Sequence, residues 1–155
     1  YEGFGPFNVA FVIETLTNNK NRTASSIRTV LQKNGGRLGE SGSTTHFFFT
    51  CGVIHISKKE FSDEKILEIA IRAGAKDCNS KLNYHEILSE KEDFYKVKSE
   101  IEKKVKSFLY SGIEWRPHNY LDLSKEQTGK IISILDFLDD NDDIQSAFVN
   151  CKINL

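Results

Sequence analysis

Five cationic side chains gather in one short stretch of the chain, between Lys20 and Arg37, beside asparagines and glycines. Guanidinium and ammonium groups bind phosphate oxygens, and glycines let a backbone approach a ligand closely. The stretch is therefore predicted to contact phosphate groups. The candidate contact residues are Lys20, Asn21, Arg22, Thr23, Arg28, Lys33 and Arg37. A solvated helix face followed by a flexible turn is the alternative interpretation, and the residue types alone leave both open.

A strand, a helix and a glycine-rich loop are predicted to position these cations. Residues 9–17 favour a strand because apolar side chains alternate along them. Thr23 is predicted to cap the following helix with its hydroxyl, and Gly35 occupies the position of a left-handed C-cap. The loop that begins there is not a P-loop, because no Gly-Lys-Ser/Thr closes it.

The rest of the chain alternates predicted strands with predicted helices. Residues 44–51 and 53–57 are predicted as two strands that Gly52 separates. Ser62 is expected to cap one helix, and capping boxes at Ser89-Glu90-Lys91-Glu92 and Ser124-Lys125-Glu126-Gln127 are expected to begin two more. Further strands are predicted at 76–78, 82–88, 113–116, 119–123 and 144–153, with a turn at Asn79-Ser80.

This order of elements predicts an α+β fold with two ferredoxin-like βαββαβ domains. One domain is expected to be inserted into the central hairpin of the other. Residues 52–116 are predicted as the inserted domain, and residues 1–51 together with 117–155 as the discontinuous domain around it. Pro117, which interrupts a predicted strand, marks the expected boundary.

Several spaced motifs resemble the YebC/PmpR family of transcriptional regulators. They are Tyr1-Glu2-Gly3-Phe4-Gly5-Pro6, the segments 17–23 and 35–43, and the closing segments 138–145 and 148–150. The resemblance implies DNA binding. It also implies an alternative, because mitochondrial relatives are translational activators for a cytochrome c oxidase subunit and bacterial members have been linked to ribosomes translating proline-rich stretches. The chain departs from the family at Phe7-Asn8, where relatives usually have two glycines.

The resemblance also implies a basic three-helix domain ahead of the segment seen here. The chain starts at Tyr1 without an initiator methionine, so we expect it to lack that domain.

Composition narrows the class of protein. Hydrophobic content of 39% and charged content of 28% are typical of a globular domain. The sequence has no apolar run of about 18 residues and no signal-peptide pattern, so we expect no membrane contact and a cytoplasmic location. Three widely spaced cysteines, Cys51, Cys78 and Cys151, fit free thiols in a reducing compartment.

Charge is unevenly distributed although the net charge is only −1. Residues 1–59 carry a net charge of +4, and residues 111–155 carry −4. Such a chain is expected to meet phosphate with one end only. The acidic run Asp139–Asp143 is predicted either to contact a protein partner or to form a solvated turn.

No constellation in the sequence predicts catalysis or a metal site. The acidic run begins like an EF-hand loop, but Ile144 stands where that loop needs glycine. His46, His55, His85 and His118 are scattered, and Glu14 is expected to orient the corner near Arg22. We therefore expect no enzymatic activity, no cofactor and no metal.

The sequence thus favours a DNA-binding transcriptional regulator. The alternative is a translation factor associated with the ribosome or with messenger RNA, in which RNA lies under the basic edge. In both cases contact with phosphate is expected rather than base-edge recognition, because no recognition-helix pattern is present.

Overall fold

The computed structural model describes residues 1–153, which form eight strands and four helices. The elements are β1 (Glu2–Phe4), β2 (Ala10–Thr15), α1 (Lys20–Lys33), β3 (Arg37–Gly39), β4 (Phe48–Ser57), α2 (Asp63–Ala73), β5 (Asp77–Ser80), β6 (Tyr84–Glu90), α3 (Phe94–Glu102), β7 (Tyr110–Pro117), α4 (Lys125–Asp139) and β8 (Ile144–Val149). Short 3₁₀ turns lie at Pro6–Asn8, Thr45–Phe47 and Lys91–Asp93. None of the helices in residues 1–153 is long and apolar enough to span a membrane.

The chain divides into two compact units. The first unit combines Tyr1–Phe49 with Trp115–Leu155, and the second unit is Thr50–Glu114. The predicted domain 117–155 ends two residues beyond the part of the chain that the structure describes. Each unit contains a four-stranded sheet with two helices, so the predicted α+β class with two ferredoxin-like domains is confirmed.

The second unit has the ferredoxin-like strand order. Its sheet runs β5-β6-β4-β7, and β6 pairs antiparallel with both β4 and β5. The core packs Ile54, Ile56 and Ile87 of the sheet against apolar side chains of α2 and α3. Ser62 caps α2 by accepting the N–H of Lys65, as the sequence predicts.

The first unit builds its sheet from two strands that the sequence predicted, β2 and β8, and two that it did not, β1 and β3. The order is β3-β1-β2-β8, with β1 antiparallel to both neighbours. The predicted strands at 44–51 and 119–123 do not belong to this sheet. Residues 45–47 form a 3₁₀ turn, and Leu121 makes only an isolated bridge to Cys151. Strand β1 pairs with both β2 and β3, and it therefore occupies the position between them in the sheet.

The core of the first unit follows the predicted alternation of β2. Phe11 and Ile13 face the helices, where they pack against buried side chains of α1 and α4. Ala10 and Val12 point to the opposite face and pack near Phe48. Truncation of a fully buried Phe11 to alanine would cost about 3–5 kcal/mol, so this strand is central to the unit.

Four local predictions were wrong. Helix α1 begins at Lys20 with Asn19 as its cap, because the Asn19 side chain accepts the N–H of Arg22 at 3.0 Å. Gly52 does not separate two strands, because the single strand β4 continues through it. Ser89 lies in β6 rather than in a capping box, and α3 begins only at Phe94. The turn expected at Asn79-Ser80 is part of β5.

Candidate nucleic-acid interface

Helix α1 carries most of the predicted contact residues. It contains no aspartate or glutamate, and Lys20, Asn21, Arg28 and Lys33 are all exposed. Its buried face consists of Thr23, Ile27 and Leu31. The cap at Asn19 and this apolar stripe fix the rotation of the helix, and therefore fix which side chains reach solvent.

The outward face of α1 is polar and uncharged at its centre. At 3.6 residues per turn, Arg28 and Lys33 lie about 140° apart around the axis, on the two flanks of that face. Ser25, Thr29 and Gln32 lie between them and are exposed. The sequence prediction did not include these three hydrogen-bonding side chains, although it included the neutral Asn21 and Thr23. The face offers neutral donors between two cations and no carboxylate.

Arg22 is already bound by the acidic end of the chain. Its Nε and Nη2 atoms donate to the two carboxylate oxygens of Asp143 at 3.0 and 2.7 Å. The hydrogen bonds from Arg22 and then from Thr23 lower the pKa of Asp143, while Asp143 raises the pKa of Arg22. The Arg22 side chain remains 52% exposed, whereas that of Asp143 is 13% exposed.

Two expectations about this corner need correction. Thr23 is completely buried, and its hydroxyl donates to Asp143 at 2.9 Å, so Thr23 is not available to a nucleic acid. The positive and negative ends of the chain are not kept apart, because Arg22 and Asp143 join them. Of the acidic run, Asp139, Asp140 and Asp142 are exposed, and Asp143 braces α1.

The glycine-rich loop after β3 is closed around a carboxylate of the chain itself. Glu2 accepts the backbone N–H groups of Gly42, Thr44 and Thr45 at 2.6, 2.9 and 2.7 Å. Partial burial alone would raise the pKa of Glu2, but these hydrogen bonds outweigh it and lower the pKa to about 2. The three amides that would suit a phosphate therefore already hold an anion, contrary to the expected role of this loop.

The backbone conformation requires glycine at positions 35 and 36. Gly35 has a φ of +80°, which favours glycine. A Cβ atom on Gly36 would lie 2.0 Å from the carbonyl oxygen of Phe4, so only glycine lets the loop approach β1. Arg37 follows directly, with its guanidinium 4.7 Å from the centre of the Phe4 ring. Since Phe4 packs on the sheet face away from the helices, Arg37 is not grouped with the cations of α1.

Comparison with known proteins identifies the family. The model of the TACO1/YebC second and third domain matches residues 1–151. The chain belongs to this family. A probable transcriptional regulatory protein of Pelagibacter ubique is 45% identical over 150 residues, which cover 97% of this chain and 62% of the relative. One from Zymomonas mobilis is 40% identical over 154 residues, which cover 99% of this chain and 62% of the relative.

A solved structure confirms the fold of this YebC-family chain. The crystal structure of a conserved hypothetical protein from Aquifex aeolicus matches with a TM-score of 0.87 and 36% sequence identity. The match covers 100% of this chain and 64% of the other. The chain therefore spans somewhat less than two thirds of the length of these relatives.

Two pairs of residues in this YebC-family chain were not predicted from the sequence. Trp115 donates its indole N–H to Glu14 at 3.0 Å, so Glu14 does not orient Arg22 as expected. In the second unit His55 lies 3.0 Å from the carboxylate of Glu86 and stacks on Tyr84. Both pairs join distant parts of the sequence. Residues 1–153 contain no group of three or more potential ligands that could hold a metal ion.

Proposed function

We propose that this chain is part of a nucleic-acid-binding transcriptional regulator and that α1 contacts the phosphate backbone of DNA. The observation that carries the proposal is the outward face of α1, which is exposed, free of carboxylates and flanked by Arg28 and Lys33. Serine, threonine and glutamine side chains commonly donate to phosphate oxygens beside arginine and lysine. The names of the relatives, probable transcriptional regulatory proteins, support DNA as the target.

The contact is expected to position the protein on the backbone without selecting a base sequence. Arg22 contributes little net charge because Asp143 neutralises it, and Arg37 lies apart on β3. Arg28 and Lys33 remain on the outward face, because Lys20 lies about 80° from Arg28 on the side of the buried Ile27. If each of the two neutralises one phosphate, the logarithm of affinity should fall against the logarithm of salt concentration with a slope of about −1.8 on duplex DNA, or about −1.4 on a single strand.

The test measures affinity for two duplex DNAs of unrelated sequence between low and physiological salt. The double variant Arg28→Ala with Lys33→Ala should weaken binding to all sequences alike and flatten the slope by about 1.8. Lys125→Ala, which removes an exposed cation at the start of α4, is the matched control and should leave the slope unchanged.

An unchanged slope and affinity in the double variant would refute the proposal. The same titration with single-stranded RNA separates the two kinds of target. Tighter binding to RNA, with the same loss in the double variant, would replace DNA with the messenger RNA or ribosomal RNA of a translation factor. The proposal assigns no catalytic step to the chain.

A further inference from the structure

A second candidate site lies on the face of the first sheet that points away from α1 and α4. It is an open cleft of about 590 Å³, and Val12, Glu14, Leu16, Thr45, Trp115 and Gln145 are among the residues that line it. Val12 and Glu14 alternate with Phe11 and Ile13 along β2, which places them on this opposite face. All of its lining residues fall in the two segments of the first unit, and Trp115 is the first residue of the second of these segments.

The polar chemistry of the cleft is anionic. Glu14 is exposed, and its Oε1 atom accepts the indole N–H of Trp115 at 3.0 Å. Within residues 1–153, Glu14 has no cationic partner, so its second carboxylate oxygen is open to a ligand. Glu2 also lines the cleft, but its carboxylate is bound to the loop at Gly42–Thr45. An anion such as phosphate is therefore disfavoured here, and a cation is favoured.

The apolar and aromatic residues of the cleft favour one kind of cation over another. Trp115 is partly exposed, and no aromatic ring or cation in the described chain stacks on its indole. Leu16 is 74% exposed and adds apolar surface to the cleft. A guanidinium stacks on an aromatic ring while its N–H groups, which lie in its plane, donate to a carboxylate oxygen beside the ring, and an ammonium stacks less well.

We infer that this cleft binds an arginine side chain of a protein partner, with the guanidinium donating to the free carboxylate oxygen of Glu14 and lying against the exposed part of the Trp115 indole. Its volume falls in the range of small-ligand pockets and exceeds what one guanidinium fills. The neighbouring residues of an arginine-bearing segment would cover the exposed side chain of Leu16. This site is separate from the nucleic-acid face of α1, so either can fail without the other.

The test uses the fluorescence of Trp115, which is the single tryptophan of the chain. The probes are the capped tripeptide Gly-Arg-Gly, the same peptide with lysine or citrulline at its centre, and free arginine. The arginine peptide should produce a saturable change in emission, the lysine peptide a weaker one, and the uncharged citrulline peptide none. The peptide should bind more tightly than free arginine, because the peptide backbone also contacts the apolar side chain of Leu16.

Two variants locate the binding site. Glu14→Gln keeps the shape of the side chain and should weaken binding of the arginine peptide by about tenfold. Glu40→Gln removes an exposed carboxylate of the same unit that lies outside the cleft, and it should have no effect. Amide spectra of both variants by NMR check that the fold is kept.

Equal binding of the citrulline peptide, equal binding to Glu14→Gln, or no saturable change would each overturn the inference. Free arginine that binds as tightly as the peptide would overturn the assignment to a protein segment. Neither variant should alter the salt dependence of DNA binding, which depends on α1.

Discussion

Replacing Glu2 with glutamine should loosen the loop at Gly42–Thr45 and remove a pH-dependent part of the stability of the first unit. Glutamine keeps the shape of the side chain and one oxygen acceptor. It loses the negative charge that accepts three backbone N–H groups, and its NH₂ group would face one or more of those donors. Backbone amides left without an acceptor carry a cost in free energy.

The size of the effect follows from the pKa of Glu2. A pKa lowered from 4.5 to about 2 corresponds to at most about 3.4 kcal/mol of stabilisation. Because the carboxylate is partly exposed, solvent screening reduces that figure, and we expect Glu2→Gln to cost about 1–2 kcal/mol at pH 7. Since the pKa is lowered in the folded protein, the stabilisation is complete above about pH 4.5 and is lost as the pH falls towards 2.

Urea unfolding followed by Trp115 fluorescence measures this effect, because Trp115 lies in the same unit as Glu2. The difference in unfolding free energy between the native chain and Glu2→Gln should be largest at pH 7 and should narrow at pH 3. The control is Glu40→Gln, a neighbouring exposed carboxylate whose loss should change little at either pH. An equal loss for Glu2→Gln at both pH values would show that the charge does not hold the loop.

Two further substitutions test packing in the same unit. Thr23→Val removes the buried hydroxyl that donates to Asp143 and should cost about 1 kcal/mol of unfolding free energy, whereas Thr29→Val on the exposed side of α1 should change it by less than about 0.5 kcal/mol. Gly36→Ala should cost about 1–3 kcal/mol because its Cβ would overlap the Phe4 carbonyl, while Gly129→Ala, in open space within α4, should stabilise by about 0.5–1 kcal/mol. Equal effects within either pair would contradict the packing described above.

Sequence patterns correctly predicted the structural elements that depend on residues close together in the sequence. The alternation along β2 is visible in the sequence because one face of the strand is buried against helices. The predicted cap at Ser62 involves residues only a few positions apart, as does the left-handed Gly74 that ends α2. The capping box at Ser124 formed for the same reason. Such interactions need no knowledge of the rest of the fold.

The predictions that failed depended on contacts between distant residues. Thr23 was expected to contact phosphate, but Asp143, 120 residues away, binds its hydroxyl inside the fold. Glu2 stands in a short segment with no strand pattern of its own, yet it pairs with β2 and β3 and holds a loop 40 residues away. The sequence shows the donors and acceptors, but only the fold decides which of them meet.

The division of the chain into two units also determines where its basic and acidic residues lie. The basic segment around α1 and the acidic segment after β7 belong to the same unit, which has nine basic and ten acidic residues. At physiological salt, charges farther apart than about 8 Å are largely screened from one another, so this nearly neutral unit has little field to attract DNA from a distance. Binding would therefore depend on short-range contacts of the α1 face. The exposed carboxylates Asp139, Asp140 and Asp142 disfavour any orientation that brings the end of α4 towards phosphate. If the chain binds DNA as proposed, the acidic segment orients it by repulsion, and Asp143 holds α1 in place through Arg22 and Thr23.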